Sequence, residues 1–471
     1  MNAWKVNFRL AARKAMLFCV AAVLVFPWPE SQAQTQTLFS AGITNNIYPV
    51  DLMLVLRLAN ARNLDIQIAH RRIGEAQANQ ESAMERFFPW LAPGAVYQRH
   101  GDLAQNVDGT IIDANKQLYT LGGALTAQVE LGDAIYSSLA AKQRVKAADH
   151  GLDSQRQDSV LSAAQGYYEL VKASALVEVV REALNISEDY QQQLHDAVDT
   201  GIAFKGDELR VQVQTERYQI VLQQTLEQQR VAAARLAEVL HLDANVELVP
   251  QIADLVPLAL VETNATLEAL TRQALMARPE LKQDRALVAA AHEEKNSALY
   301  GPLIPSLNAQ AFGGGLGGGQ NGSTGNFGGT EDYYFGLGWR IGPGGLFDFG
   351  RIHASKARLE ISTLNAAKTR DQVVREVVEY YTRAASLRGQ LGITRQNVAT
   401  ASETLRLTSA RREYGVGIVL ENIQSQQELA RANSDYVSTL AEYDKAQYGL
   451  SRAIGDLAGI GEALPNSPPF K

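Results

Sequence analysis

Two stretches of this chain, Ser138 to Thr200 and Ile352 to Tyr414, carry helical spacing for about 63 residues each, or roughly 95 Å at 1.5 Å per residue. No ordinary globular core needs a helix that long. Their apolar positions fall three or four apart, as in Val160, Ala163, Tyr167, Leu170 and in Val373, Val377, Tyr380, the spacing of a helix-packing seam. Alanine is heavily used on these seams, so the helices can approach closely. Shorter returning helices are expected at Asp207 to His241 and Glu421 to Gly455, roughly 52 Å each, with an upstream helix, Leu64 to Phe87, of roughly 36 Å. Two short helices end to end therefore cover one long one. Periodicity alone describes a structural coiled coil or bundle.

The chain is written twice. Tyr167-Tyr168 recurs as Tyr380-Tyr381, Gly132-Asp133 is echoed near Gly345 and Asp348, and Thr200-Gly201-Ile202 recurs as Val416-Gly417-Ile418. "ARNL" (Ala61 to Leu64) matches "ARPEL" (Ala277 to Leu281), each followed by a proline, Pro89 in "FPWL" and Pro305 in "IPSL". A period of about 215 residues is too long for a solenoid and marks the duplication of a large unit. Each unit reads helix, strand, polar loop, strand, very long helix, glycine turn, returning helix.

The strands break the coiled-coil reading. From Tyr333 to Ile341, Tyr333, Phe335, Leu337, Trp339 and Ile341 alternate with Tyr334, Gly336, Gly338 and Arg340; from Tyr119 to Leu131 the odd positions are again the apolar ones. Leu307, Ala309 and Ala311 alternate with Ser306, Asn308 and Gln310, and Ala95 and Tyr97 with Gly94 and Gln98. A soluble two-faced sheet uses the same alternation. So does an outer-membrane barrel, apolar to lipid and polar to water. Four strands cannot close around water, and an open edge in lipid leaves backbone groups unpaired at several kcal/mol each, so a barrel requires several copies. Glu130 and Arg340 are expected on the polar strand faces, toward a lumen. The loops Arg99 to Leu118 and Gly313 to Asp332 are polar or glycine-rich; Gly313, Gly315 and Gly318 formally spell a dinucleotide fingerprint, but inside a low-complexity run.

Lys5, Arg9, Arg13 and Lys14, then the apolar run Ala15 to Phe26, then Ser31-Gln32-Ala33, read as a secretory signal peptide over 1–33. Cys19, the one cysteine, follows Phe18 where a lipobox needs a small residue, so no lipid anchor is expected. The net charge of −7 makes nucleic acid a poor partner. His292-Glu293 begins like a zinc-protease motif, yet its fifth position is Asn296; there is no phosphate loop, and no metal, cofactor or catalytic constellation is expected. The expected organisation is a first repeat over 34–250, a second over 251–457, and a flexible tail over 458–471.

These residues resemble the TolC family of outer-membrane efflux proteins, from about Leu52 to Leu457. The resemblance rests on "PWL" and "PSL", "LFDFGRIHASKARLE" (Leu346 to Glu360), the Tyr-Tyr pairs, "EYGVGIVLENIQSQQELARA" (Glu413 to Ala432) and "YDKAQYGLSRAIGDL" (Tyr443 to Leu457). It implies a mainly helical fold with a membrane β-barrel: a homotrimer whose twelve strands form one barrel and whose helical hairpins form a periplasmic tunnel. An equatorial belt would come from the chain ends and Asp243 to Asn264. The implied function is a passive, non-enzymatic exit duct in the outer membrane for small molecules or polypeptide, served by a periplasmic adaptor and an inner-membrane transporter. The alternative is a periplasmic coiled-coil scaffold without a pore. The family closes its tunnel at the periplasmic tips, often with acids. Here the candidates are Asp207 and Glu208 in the first repeat and Glu421 and Asn422 in the second, where the family's aspartates are missing, Asn422 and Ser425 standing in their place. Asp207 equally suits a helix cap and Glu208 a favourable first turn. The tip glycines, Gly201 and Gly417, are the candidate adaptor-docking positions, and glycine there also permits a positive φ.

Overall fold

The computed structural model describes residues 47–457, apart from 244–245, 251–254, 263–264, 321–324 and 414–417. The expected signal peptide, the tail and Gly417 lie outside the described residues. In order, the elements are β1 (Ile47–Val50), α1 (Leu52–Arg62), α2 (Leu64–Glu85), β2 (Trp90–His100), β3 (Leu103–Gln105), β4 (Ile111–Asp113), β5 (Lys116–Val129), α3 (Leu131–Asp199) and α4 (Lys205–Val239). Then follow β6 (Glu247–Pro250), α5 (Leu267–Ala277), α6 (Pro279–Tyr300), β7 (Ser306–Gln320), β8 (Phe327–Gly338), α7 (Phe349–Glu413) and α8 (Val419–Ile454).

The two long helices exceed the sequence expectation, at 69 residues for α3 and 65 for α7, because each begins nearer its strand than hydrophobic spacing suggested. At the start of α7, Asp348 Oδ1 accepts the Arg351 amide at 2.9 Å and Oδ2 the Gly344 amide at 2.8 Å, and these donors hold its carboxyl below the usual range. Short helices start on similar caps. Asp51 accepts from Leu54 and Asn63 from Asp65, while Pro279 opens α6, where its missing N–H costs nothing.

A four-stranded antiparallel sheet runs β2-β5-β7-β8. Its register keeps odd-numbered residues opposite odd-numbered ones throughout: Leu91 faces Leu125, Leu121 faces Gly315, and Leu307 faces Leu337. All four strands therefore share one face bearing Leu91, Tyr97, Leu121, Leu125, Tyr333, Phe335 and Leu337, while Gln98, Thr126, Asn308 and Gln310 lie on the other. β2 tolerates Pro93 because it is an edge strand with one side unpaired.

Four expectations about the strands and their loops are corrected. The last strand spans Phe327–Gly338 rather than Tyr333 to Ile341. Trp339 leaves the sheet with its indole donating to Leu303 O at 3.0 Å, and Gly342 (φ +108) and Gly344 (φ +76) turn the chain back. The glycine run after Phe312 is strand to Gln320, not loop, since pairing on both sides satisfies its backbone. Tyr119 and Phe327, opposite Gly317 from either side, stack 5.9 Å apart over the gap the glycines leave. The first loop carries a small hairpin, β3 with β4, and β5 stops at Val129.

The main core lies at mid-length of α3. Tyr167, Tyr168, Leu170 and Val171 are fully buried beneath α1, the parallel pair β1–β6 and the inter-repeat segment carrying Leu255, Leu258 and Leu260. Leu255, Leu258 and Leu260 belong to the segment expected to form a belt. Nearby, Arg278 and Arg452 bind Glu280, Glu376 and Asp158 in a largely buried cluster that ties α3, α6, α7 and α8 together. Burial pushes Glu280 up, but Arg452 and Arg278 outweigh it and its carboxyl lies below the ordinary value. Burial wins at Asp158, which is raised. Among the described residues no helix is long and apolar enough to cross a membrane.

Candidate functional site

The first tip is a tight helix-to-helix turn. At the end of α3 the amide of Gly201 donates to Val198 O at 2.9 Å and that of Ile202 to Ala197 O at 2.8 Å, with Gly201 at φ +74. That is a glycine-closed helix end, and the open space around Gly201 means the backbone angle alone demands the glycine. Asp207 is not the cap of α4, a position held by Phe204; it lies in the first turn, 3.2 Å from Arg210. Glu208 is only 7 % exposed, with Lys205 Nζ at 2.5 Å and His195 Nδ1 at 3.1 Å. Lys205 and then His195 hold its carboxyl low, while Glu208 and then Asp199 raise the imidazole of His195.

In the second tip Glu421 pairs with Arg411 at 3.0 Å. Asn422, 1 % exposed, donates to Ser409 at 3.2 Å and accepts from Gln426 at 2.9 Å, so it faces the interior of its own hairpin. Ser425 is buried beside it and donates to Glu421 O. The tips meet where Val211 and Ile423 pack with Tyr190 and Leu194, and Gln427 donates to Gln214 at 2.6 Å. Asp207, Glu208 and Glu421 thus come to one end of the bundle, each already beside a cation of its own hairpin. Ile202, Phe204 and Ile418 stand exposed around them.

The strand placement of Glu130 and Arg340 is corrected. Neither lies on a strand: Glu130 precedes α3 and Arg340 follows β8, and they pair at 3.0 Å across the strand-to-helix junction. Alternation predicted strand faces because it ran past both strand ends. Beneath them Asp133 accepts from Arg351 at 2.7 Å and from Ser297 at 2.8 Å, linking the two long helices.

Residues 270–456 match the family model described as outer membrane efflux protein. The chain carries an outer membrane efflux protein domain. The match supports the resemblance to the TolC family. Solved structures agree over more of the length. A membrane protein from Pseudomonas aeruginosa superposes with a TM-score of 0.74 at 19 % identity, covering 86 % of this chain and 93 % of that one. The outer membrane protein VceC of Vibrio cholerae gives 0.69 at 18 %, over 86 % and 96 %. The Campylobacter jejuni CmeC outer membrane channel gives 0.71 at 15 %, over 86 % and 85 %. At these identities the likeness is one of fold. No curated protein sequence matches this one.

The outer membrane efflux family is one of channels and not enzymes, and sequence reasoning missed one cleft among the described residues. It lies at mid-height, floored by α3 and α8 and walled by α4 and α7. On its floor Lys445 reaches Glu169 at 2.8 Å and also holds Glu442, Lys172 reaches Glu169 at 2.6 Å, and Arg383 in the wall reaches Glu442 at 2.7 Å. The pairing cations outweigh burial and keep both carboxyls low. The signal was present as Glu169-x-x-Lys172 and Glu442-x-x-Lys445, the same spacing in both halves of the chain.

Proposed function

We propose that this chain is the outer-membrane exit duct of a tripartite efflux system, a homotrimer that passively conducts solutes handed over by an inner-membrane transporter through a periplasmic adaptor. The observation that carries this reading is the open sheet: β2 and β8 each have a free edge, and the odd-numbered face is apolar with exposed Tyr333, Phe335 and Leu337. Its strands, 11 to 15 residues long, meet the roughly 9–11 residues a tilted strand needs to cross a bilayer. Free edges in lipid are untenable, and three copies placing β8 against the next β2 remove them by closing twelve strands into one barrel.

In this reading the two repeats, over 34–250 and 251–457, each contribute two strands and one helical hairpin. A signal peptide over 1–33 exports the chain, which carries no lipid anchor. The exposed Ile202, Phe204 and Ile418 at the tips offer the adaptor an apolar contact, and the paired acids Asp207 and Glu421 stand at the closing end. Efflux rather than polypeptide secretion follows the domain family, whose description is efflux.

The test is single-channel recording of the purified protein in planar bilayers, wild type beside Arg411→Ala and Arg210→Ala. Small steps that enlarge when either tip pair is broken support a duct closed at the tips. Folded, helical protein that never inserts leaves the pore-free scaffold as the better account.

A further inference from the structure

The mid-height cleft has more positive than negative charge. Glu169 and Glu442 are shared among Lys172, Lys445 and Arg383, and Arg235 projects from the α4 wall, exposed and without a carboxylate partner among the described residues. The lining thus holds three cations, Arg235, Arg383 and Lys445, against two acids, with Lys172 pairing with both acids from just outside it. The cleft is open because its lining is small where the helices converge: Gly166 and Ala446 stand on the floor and Ala232 in the wall. A Cβ on Gly166 would meet Leu236 Cδ1 at 3.2 Å, so the glycine also lets α3 and α4 close up below the opening.

Its direction follows from α3. Ser162, Gly166 and Glu169 line the cleft, whereas Ala163, Tyr167 and Leu170, turned to the other side of the same helix, lie under the belt. The belt occupies one surface of the helical layer and the cleft opens on the opposite one. If the chain forms a duct as proposed above and the belt girdles its outer surface, that opposite surface is the duct wall.

We propose that this cleft is an anion-binding station on the duct wall, taking solutes that bear phosphate or carboxylate groups. Arg383 and Arg235 present planar donor forks from facing walls, suited to bidentate contact with such groups, and Lys445 supplies a point charge between them. A cleft lined by an excess of one sign, with protein walls on either side, concentrates counter-ions of the other. At the tips Asp207, Glu208 and Glu421 are each beside a cation, which lessens their repulsion of an anion.

The inference rests on the duct reading, and its test separates the two. Inorganic pyrophosphate is titrated calorimetrically into the full-length protein in detergent, for wild type, Arg235→Gln/Arg383→Gln, and Arg395→Gln as a control with one charge removed elsewhere on α7. Far-ultraviolet circular dichroism checks that each is folded. Wild type and Arg395→Gln are expected to bind alike and the double variant at least about tenfold more weakly, the loss of one or two charge-assisted contacts. Equal affinity in all three, or no binding by wild type, overturns the station. In bilayers, pyrophosphate is expected to reduce the current of wild type and not of the double variant. Current that pyrophosphate leaves unchanged refutes the station but keeps the duct, whereas binding without any conductance keeps the anion site and refutes the duct.

Discussion

Asp444 is fully buried on α8, with Oδ1 accepting the Leu258 amide at 2.9 Å and Oδ2 unpartnered. Gln447 accepts the Val261 amide three residues on, so α8 holds the inter-repeat segment by two side chains. Burial, with no cation beside it, pushes the Asp444 carboxyl up to about 7. The folded state then keeps a proton that the unfolded chain has already released above about pH 4. Stability from this residue is intact at lower pH and is lost as pH climbs toward 7. Asp444→Asn, which retains the acceptor for Leu258, is expected to flatten that part of the profile and to raise stability at pH 7.5 by about 1–3 kcal/mol, read from melting curves of the two proteins between pH 4.5 and 7.5. Parallel curves would refute the assignment. Asp444 lies within the quoted stretch "YDKAQYGL", but its partner amide is 186 residues away, and pairing at that distance is not written in local pattern. The tip acids show the same limit. Their positions were legible, while the burial of Glu208 and Asn422 was not, because it depends on which helix face meets the neighbour.

At the scale of elements, close approach is decided by single glycines. Gly132, at the start of α3, lies against the end of α6, where a Cβ would come 2.1 Å from Gly301 O. Gly132→Ala is therefore expected to push the two elements apart and cost about 1–3 kcal/mol, whereas Gly94→Ala, with nothing within 4 Å of the new Cβ, stays within about 0.5 kcal/mol. Thermal midpoints of both variants against wild type measure the contrast; equal losses would show that Gly132 has no packing role. Element types and order were legible, since helical seams and strand alternation are strong periodic signals. Strand ends were not. Glycine reads as loop by propensity, yet β7 holds Gly313 to Gly319 in register because backbone pairing and the Tyr119–Phe327 stack supply what its side chains lack.

Over the whole molecule, the great length of the two longest helices was the most legible feature, and the assembly was inferred from what one chain leaves unpaired. Once the predicted leader is removed, Trp90 and Trp339 are the remaining tryptophans, 56 % and 59 % exposed, at the helix-side ends of β2 and β8. Phe347 and Phe349 stand exposed near the start of α7. Aromatics at one level mark a lipid–water interface. By register Trp90 shares the even-numbered face with Thr126, so Trp339 is the reporter: in a reconstituted Trp90→Phe variant its emission is expected to be quenched more by lipids brominated near the headgroup than by lipids brominated at the chain end. Quenching strongest from the chain end would move the membrane away from this junction. The register has a consequence of another kind. Because every strand pairing matches odd with odd, deleting one residue inside a strand would exchange its greasy and wet surfaces beyond that point, while deleting two would not. Lineages descended from this sequence can therefore gain or lose residues freely at the hairpin ends, but within the strands only in even steps or at a bulge, and a census of gaps among its relatives should carry that imprint.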